Sequence, residues 1–298
     1  MSEQEPVLVV GATGSLGGQV VDRLLARGKK VRALVRPTSN ATKLEAKGVE
    51  IARGDMLDLD SLVAAMTGTA AVITTAAGYT GNNKNAHEID TVGNTNLAIA
   101  ASKAGVARFV LTSILTSDQT PGVPHFWHKK LAEDKLEELG VPFVALRPGA
   151  FFDQIAQLSG DPFEKGRIIW LGSKSVPLTF VLTSDLATYL AEAVDADVTD
   201  GERIDLGWTR PISMREGADL ASRLTDKKIR VFAVPTFLLR AVGKIAGKSA
   251  PLMSDMGGMA AWFDSGKYVA KTARQIELFG PPPTPEDAIK RFSVELGH

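Results

Sequence analysis

The sequence predicts an α/β protein in which helices cover both faces of an open parallel sheet. Short apolar runs alternate with segments of helical periodicity through the first half of the chain. Several runs, such as Val7–Val10, are continuously apolar, which is typical of strands buried on both faces of a parallel sheet. A glycine-rich segment, Gly11–Gly17, directly follows the first run. The predicted strands are Val7–Val10, Lys30–Val35, Val49–Ala52, Ala70–Thr75, Arg108–Thr112 and Pro142–Leu146.

Helices are predicted between these strands, and Asp60 is expected to cap the third of them. Beyond about residue 150 the alternation loosens, although helices and one short strand, Ile204–Leu206, are still expected. We therefore expect a core of residues 1–150 and a smaller lobe of residues 151–298 that packs on the core and is not an independent domain. The predicted helices are Gly18–Arg27, Asn40–Lys47, Ser61–Met66, His87–Ala104, His128–Leu139, Ser184–Val194, Ser213–Leu224, Phe237–Ile245 and Thr284–Phe292.

Composition and charge exclude several classes of function. The 298 residues carry 34 basic and 34 acidic side chains, so no field of one sign is available to attract nucleic acid over the whole surface. The chain contains no cysteine, which excludes disulfides, thiolate nucleophiles and cysteine-ligated metals. The N-terminus lacks the pattern of a signal peptide, and no apolar run approaches the ~20 residues of a membrane-spanning helix. We expect a cytoplasmic protein without a nucleic-acid partner or a membrane span; a homo-oligomer is left open.

The glycine-rich segment stands where a strand passes into a helix. A dinucleotide pyrophosphate needs close backbone approach, which Cβ atoms would obstruct. It also gains from the N–H groups and the dipole at a helix N-terminus. Because Gly11, Gly14 and Gly17 supply glycines at this junction, the segment predicts a dinucleotide site.

The order of motifs resembles that of the extended and atypical short-chain dehydrogenases/reductases, and within them it looks most like the NmrA-like members. Gly11–Gly17 is similar to the G-x-x-G-x-x-G loop of that superfamily, and Asp90–Leu97 is similar to its N-V-x-G-T-x-N-L helix. Leu111–Ser113 and Leu146–Gly149 match the ends of its fifth and sixth strands. The resemblance covers residues 6–155 and implies a Rossmann-type doubly wound sheet. Residues 1–150 would then form the dinucleotide-binding core and residues 151–298 a substrate or partner lobe.

The resemblance also implies which residues contact a nicotinamide dinucleotide. They come from the glycine loop, from the Gly-Asp-hydrophobic step after the third strand, from the end of the fourth strand, from the family's lysine and from the end of the sixth strand. These residues are Gly11, Thr13, Gly14, Ser15, Leu16, Gly17, Asp55, Met56, Ala76, Ala77, Gly78, Lys129, Pro148 and Gly149.

The end of the second strand predicts the choice of nucleotide. An acidic residue there usually binds the ribose 2′-hydroxyl in NAD proteins. This chain has Arg36 instead, whose planar fork suits a 2′-phosphate, and Thr38, Ser39 and Lys43 could assist. We therefore expect NADP(H) to be preferred, with NAD(H) left open.

The catalytic pattern departs from the superfamily. Its members typically use a serine and a Y-x-x-x-K pair, and alignment places Lys129 as the lysine and Ser113 as the serine. His125 stands where the tyrosine is expected, and the three tyrosines, Tyr79, Tyr189 and Tyr268, lie elsewhere in the sequence. The usual proton relay is therefore in doubt.

Two interpretations follow from this departure. In the first, the protein reduces a small apolar carbonyl, quinone or enone, and His125 donates the proton, since imidazole changes charge near neutral pH. Lys129 or a water molecule is the substitute donor. In the second, the protein is a non-catalytic NADP(H)-binding sensor or scaffold of NmrA type, and His125 only packs beside Phe126 and Trp127.

Aromatic residues beyond the strand ends predict a substrate pocket, because ligands of such sheets lie past the carboxyl ends of the strands. Metal chemistry is not expected, since the four histidines show no metal-binding spacing. The apolar segment 237–248 carries three cations, and a helix of the lobe is favoured for it over a membrane-surface helix. The predicted substrate-binding residues are Phe126, Trp127, Phe151 and Phe152.

Overall fold

The computed structural model describes residues 5–78, 87–246 and 251–298. Its strands are β1 (Val7–Val10), β2 (Val31–Val35), β3 (Glu50–Arg53), β4 (Ala71–Thr74), β5 (Phe109–Thr112), β6 (Phe143–Pro148), β7 (Ala150–Phe151), β8 (Arg167–Leu171), β9 (Phe180–Val181), β10 (Glu202–Leu206) and β11 (Arg230–Val234).

The helices of the first half lie between successive strands, as the alternating pattern predicts. A π-helical segment, Glu88–Gly93, leads directly into the fourth helix. The helices are α1 (Ser15–Ala26), α2 (Thr42–Glu45), α3 (Leu59–Met66), α4 (Asn94–Ala104), α5 (Pro124–Glu138), α6 (Ile155–Ser159), α7 (Pro162–Lys165), α8 (Thr183–Glu192), α9 (Met214–Thr225), α10 (Thr236–Ala246), α11 (Pro251–Asp264), α12 (Ala273–Phe279) and α13 (Pro285–Glu295).

Seven strands form the central sheet in the order β10-β6-β5-β4-β1-β2-β3. From β6 to β3 every neighbouring pair is parallel. Val10, the last residue of β1, lies opposite Leu34 of β2 on one side and Thr74 of β4 on the other. The strand order reverses between β1 and β4, and the crevice outside the carboxyl ends of such strands is where open α/β sheets bind ligands. The predicted Rossmann-type α/β fold is confirmed.

Burial explains why the strands could be found from the sequence. Every residue of β1, β4, β5 and β6 is buried. Helix α1 packs one face on the sheet through Val20, Val21 and Leu24, whose side chains are fully covered. Continuous apolar runs and a helical apolar stripe are the patterns that such burial requires.

Two local features differ from expectation. Asp60 was expected to cap the third helix, but this is wrong: Asp58 is the cap, and its Oδ1 accepts the Ser61 amide at 3.3 Å. Asp60 lies inside the first turn, where its negative charge still favours the helix dipole. The predicted helix His87–Ala104 is a π-helical segment followed by α4, which a 3.6-residue period does not distinguish.

The chain divides into two compact units. The first comprises Met1–Asp118, His125–Arg147 and Ser184–Ile204, so it contains α8 from Ser184 onward although that helix comes after residue 150. The second comprises Gln119–Pro124, Pro148–Thr183 and Asp205–His298. The expected docking of a dependent C-terminal lobe on the core stays a prediction.

Aromatic side chains form the interior of the second unit. Phe152 packs against Phe180, Trp208 and Phe292 with ring centroids 5.3–5.9 Å apart. Two short parallel pairs, β8 with β11 and β7 with β9, were not predicted, although Ile168–Leu171 and Val231–Val234 are apolar runs in the sequence. Within the described ranges, no helix combines the length and apolar character needed to cross a bilayer.

Candidate functional site

The glycine loop, residues 11–17, carries the chain from β1 into α1 in one tight turn. Gly11 has a φ of +87°, in the left-handed region that favours glycine. A Cβ on Gly17 would lie 2.1 Å from the carbonyl oxygen of Gly11, so the close approach of these two residues requires glycine. The Gly14 amide donates to the same carbonyl oxygen at 2.9 Å. The inner side of the loop is therefore filled by its own backbone.

The outer side of the loop is open to solvent. Thr13, Gly14 and Ser15 are exposed, and α1 begins at Ser15 with Gly14 as its N-cap. Gly14 has no side chain that could cap this helix, and the first turn contains no acidic residue. The N–H groups of the first turn and the helix dipole are thus free to bind an anion. This geometry suits the pyrophosphate that the sequence predicts there.

Arg36 directly follows β2 and is exposed. It lies at the carboxyl edge of the sheet, the edge to which β1 delivers the glycine loop. Its carbonyl oxygen accepts the Ser39 amide at 2.9 Å, so the residues after Arg36 form a turn. No carboxylate is present in residues 36–40, and a 2′-phosphate would therefore meet no like charge from this segment.

The step after β3 is held by hydrogen bonds. One carboxylate oxygen of Asp55 accepts the Leu57 amide at 2.9 Å. Met56 is nearly buried, and its carbonyl oxygen accepts a hydrogen bond from Asn96 Nδ2 at 2.9 Å. Asn96 belongs to the predicted N-V-x-G-T-x-N-L motif, so a hydrogen bond from this motif holds the Asp55–Met56 step in place. The adenine contacts of these two residues stay predictions.

Two buried ionisable residues, Lys129 and Asp90, hold the segment that follows β4. Lys129 Nζ donates to the Ala76 carbonyl oxygen at 3.1 Å, and Asp90 Oδ1 accepts the Gly78 amide at 2.9 Å. The side chains of Lys129 and Asp90 are 9% and 2% exposed. The segment after β4, expected to line the cofactor, is therefore held from both sides by ionisable groups. Within the described residues, Asp90 Oδ2 has no hydrogen-bond partner.

Burial also sets the ionisation of Lys129. Desolvation lowers the pKa of its ammonium below the ordinary value of 10.5, and the negative charge of Asp90 opposes that shift. A lysine in these surroundings releases a proton more readily than one at the surface.

His125 stands in the first turn of α5, one turn before Lys129. Its imidazole is half-buried and meets the ring of Phe126 edge-on, with centroids 4.5 Å apart. Phe126 is 1% exposed, so its ring is a packing partner of His125, and the substrate contact expected of it stays a prediction. Trp127, the next residue, is half-buried.

Ser113 belongs to a buried ionic cluster that the sequence analysis missed. Its hydroxyl donates to Glu133 Oε1 at 2.5 Å, and Glu133 is fully buried. Both oxygens of Glu133 also accept hydrogen bonds from Arg147, at 3.0 and 2.6 Å, and Oε2 accepts Arg203 Nε at 3.0 Å. The serine proton is thus directed to a carboxylate. The catalytic role expected for Ser113 stays a prediction, with a structural role now beside it.

The charge of Arg147 is fixed by this cluster. Burial opposes the charge, but hydrogen bonds and Coulomb attraction from Glu133, and then from Asp118, raise the pKa of the guanidinium above its ordinary value. A signal for the cluster was present in the sequence, since Glu133 lies four positions after the aligned lysine Lys129 and Arg147 lies within the matched segment Leu146–Gly149.

Four predicted site residues lie in the second unit, namely Pro148, Gly149, Phe151 and Phe152. Phe152 is 1% exposed and forms part of the aromatic core, whereas Phe151 is half-buried. The Gly149 amide donates to Leu206 at 2.9 Å, and the Pro148 carbonyl oxygen accepts a hydrogen bond from a tyrosine hydroxyl. The structure therefore supports a core role for Phe152, and the ligand contacts of all four stay predictions.

Among the residues that the structure describes, no group of three potential ligands has the geometry to hold a metal ion. His87 and His128 meet edge-on with centroids 5.9 Å apart, but two imidazoles alone do not make such a group.

Comparison with known proteins identifies a family whose model matches nearly the whole chain. The model of the NmrA-like family matches residues 3–283. The photosystem II assembly factor Ycf39 of Cyanophora paradoxa is 28% identical over 78% of this chain and 73% of its own length. The NAD(P)H azoreductase of Xenophilus azovorans is 27% identical over 76% of this chain and 77% of its own. The NADPH-dependent quinone oxidoreductase QOR2 of Escherichia coli, solved with NADPH, superposes with a TM-score of 0.79 at 20% identity, covering 96% of this chain and 99% of that one.

Proposed function

Because the chain belongs to the NmrA-like family, we propose that it is an NADP(H)-dependent oxidoreductase that reduces a small apolar carbonyl, quinone or enone. The observation that carries the proposal is the uncapped, solvent-open N-terminus of α1 behind the glycine loop, with Arg36 in place of an acidic residue after β2. Anion-binding amides and a guanidinium at the same sheet edge fit a pyrophosphate and a 2′-phosphate. The similarity to an NAD(P)H azoreductase supports the same chemistry.

NADP(H), when bound, supplies the hydride, so the chain's own residues need only orient the substrate and move a proton. The glycine loop binds the pyrophosphate through backbone amides, and Arg36 binds the 2′-phosphate. Lys129 holds the segment after β4 and, through its depressed pKa, provides an exchangeable proton. His125, half-buried at the start of α5, is the proposed donor to the substrate.

Replacing His125 tests the proposed donor. His125→Phe keeps a ring against Phe126 but removes the exchangeable proton, and we expect turnover to fall by roughly 10²-fold with NADPH affinity unchanged. The measurement is steady-state oxidation of NADPH by a panel of quinones, aldehydes and enones, with NADPH affinity measured by fluorescence titration. His128→Phe removes a histidine from the same helix and should retain turnover. Full turnover by His125→Phe would transfer the donor role to Lys129 or water.

A second function has its own support. His125 packs against a fully buried ring, as a structural histidine does, and Ycf39 is described as an assembly factor and not as a reductase. A protein that binds NADPH but oxidises it with no member of the acceptor panel would be a non-catalytic NADP(H)-binding sensor or scaffold. In that case His125→Phe would change stability alone.

Lys129 gives a prediction about pH. Because the folded-state pKa lies below the unfolded value of 10.5, the unfolded chain binds the proton more tightly, and the ammonium destabilises the fold at neutral pH. We expect Lys129→Met to have an equal or larger free energy of unfolding than the parent at pH 7. As the pH rises towards 10.5, the parent should gain stability relative to the variant. Urea unfolding of both proteins between pH 7 and pH 10.5 measures the difference; a constant difference over that range would contradict the buried ammonium.

A further inference from the structure

Arg53, at the end of β3, reaches across to the turn that follows β2. One terminal nitrogen of its guanidinium, Nη1, donates to the carbonyl oxygen of Arg36 at 3.2 Å and to that of Ser39 at 2.7 Å. The strand register explains the reach, since Arg53 lies opposite Val35, the residue before Arg36. Two guanidinium groups therefore share the carboxyl edge of neighbouring strands.

The hydrogen bonds of Arg53 leave most of its binding capacity unused. A guanidinium has five N–H donors, and both acceptors found for this one are uncharged carbonyl oxygens reached through Nη1. Nε and Nη2 have no acceptor among the described residues, so their N–H groups are available to a ligand. The residue is exposed, so a purely structural contact of this kind stabilises the fold by little.

Charge balance at this edge also indicates an anion. Within the described ranges, neither Arg36 nor Arg53 forms an ion pair, whereas Arg32, on the strand β2 that precedes Arg36, is paired with Glu50 at 2.7 Å. Two neighbouring cations without a carboxylate repel each other, and a phosphate between them would remove that repulsion. A phosphomonoester carries a charge of about −1.5 to −2 at neutral pH, which matches two guanidinium groups.

We infer that Arg53 is a second determinant of selectivity for the 2′-phosphate, acting with Arg36 at the cofactor site. This inference rests on the proposed function, because it needs a dinucleotide to be bound by the glycine loop. Arg53 holds the turn in place through Nη1 and presents Nε and Nη2 to the phosphate. Its replacement should weaken binding of 2′-phosphorylated nucleotides and leave binding of the others nearly unchanged.

The test compares 2′,5′-ADP with 5′-ADP, two probes that differ in a 2′-phosphate and lack nicotinamide. Calorimetric titration should give a parental preference of at least tenfold for 2′,5′-ADP. Arg53→Gln should reduce that preference about tenfold, as Arg36→Ala should. Arg53→Lys keeps the charge but not the fork and should give an intermediate value. Arg23→Gln removes an exposed arginine at the far end of α1 and should keep the parental ratio.

The outcomes separate the two proposals. If Arg36→Ala loses the preference and Arg53→Gln keeps it, Arg53 has no part in selectivity and the inference is overturned while the cofactor site stands. If the parent binds neither probe and no NADPH, the proposed function fails and the inference fails with it. A loss of affinity for both probes by Arg53→Gln, with the ratio unchanged, would show that the arginine only supports the loop and would also overturn the inference.

Discussion

Gly14→Val should abolish NADPH binding while leaving the fold intact. Gly14 is exposed, its φ of −81° and ψ of 169° are open to any residue, and an added Cβ would meet only the Gly11 carbonyl oxygen at 3.3 Å. The valine methyl groups would cover the N–H groups at the start of α1. Losing two charge-assisted hydrogen bonds at about 1.5–3 kcal/mol each corresponds to a decrease in affinity of about 100-fold or more. Fluorescence titration with NADPH and thermal unfolding measure both parts of this expectation.

The neighbouring glycines provide controls for this experiment. A Cβ on Gly18 would lie 3.7 Å from the Ala12 carbonyl oxygen, an ordinary contact, so Gly18→Ala should bind NADPH like the parent. Gly17→Ala should destabilise the fold, because its Cβ would collide with the backbone of Gly11. Normal NADPH binding by a folded Gly14→Val protein would mean that the phosphate site lies elsewhere.

Glu133→Leu should have the largest effect on stability. The change removes the buried carboxylate that binds the Arg147 guanidinium through both oxygens, and the Arg147 side chain is only 8% exposed. Asp118, 39% exposed, would remain as its other ionic partner. Breaking a buried ion pair from one side is expected to lower the free energy of unfolding by about 3–5 kcal/mol. Urea unfolding monitored by circular dichroism measures this loss.

A matched variant distinguishes buried from exposed charge in the same cluster. Glu137 forms an ion pair with Arg203 of the same cluster at 2.7 Å, but the Glu137 side chain is 62% exposed. Glu137→Gln should therefore lower the free energy of unfolding by only about 0–1 kcal/mol. Equal losses of unfolding free energy for Glu133→Leu and Glu137→Gln would show that the buried carboxylate stabilises the fold no more than an exposed one.

The fold could be predicted because its signals are local. Each buried parallel strand in the first half is a short apolar run, and the first and last residues of β1, Val7 and Val10, agree with the prediction. The pair β8–β11 was missed because its apolar runs, Ile168–Leu171 and Val231–Val234, lie outside the regular alternation of strands and helices, and a short run alone does not distinguish a strand from a helix. The π-helical segment was missed for a related reason, since one widened turn hardly changes an apolar period.

The site residues could be predicted from the sequence only where a short motif at the end of a strand identifies them. The glycine loop and Arg36 follow from their positions at strand ends. Arg53 and Glu133 could not be predicted in this way. The hydrogen-bond partners of Arg53 lie 14 and 17 positions away, and those of Glu133 lie 14 to 70 positions away. Both sets of contacts depend on strand register or helix packing. The burial of Phe152 likewise depends on residues far along the chain, so an aromatic after a strand end could not be assigned to pocket or core from the sequence.

The central claim is that the first unit binds NADP(H) through the glycine loop and Arg36. Calorimetric titration of the purified protein with NADPH and with NADH tests it most directly. The account predicts saturable binding of one NADPH per chain, with NADH at least about tenfold weaker, since one charge-assisted contact to the 2′-phosphate contributes roughly 1.5–3 kcal/mol. Arg36→Ala should remove most of that difference. Equal affinities for the two nucleotides in the parent protein, or no saturable binding of either, would contradict the account.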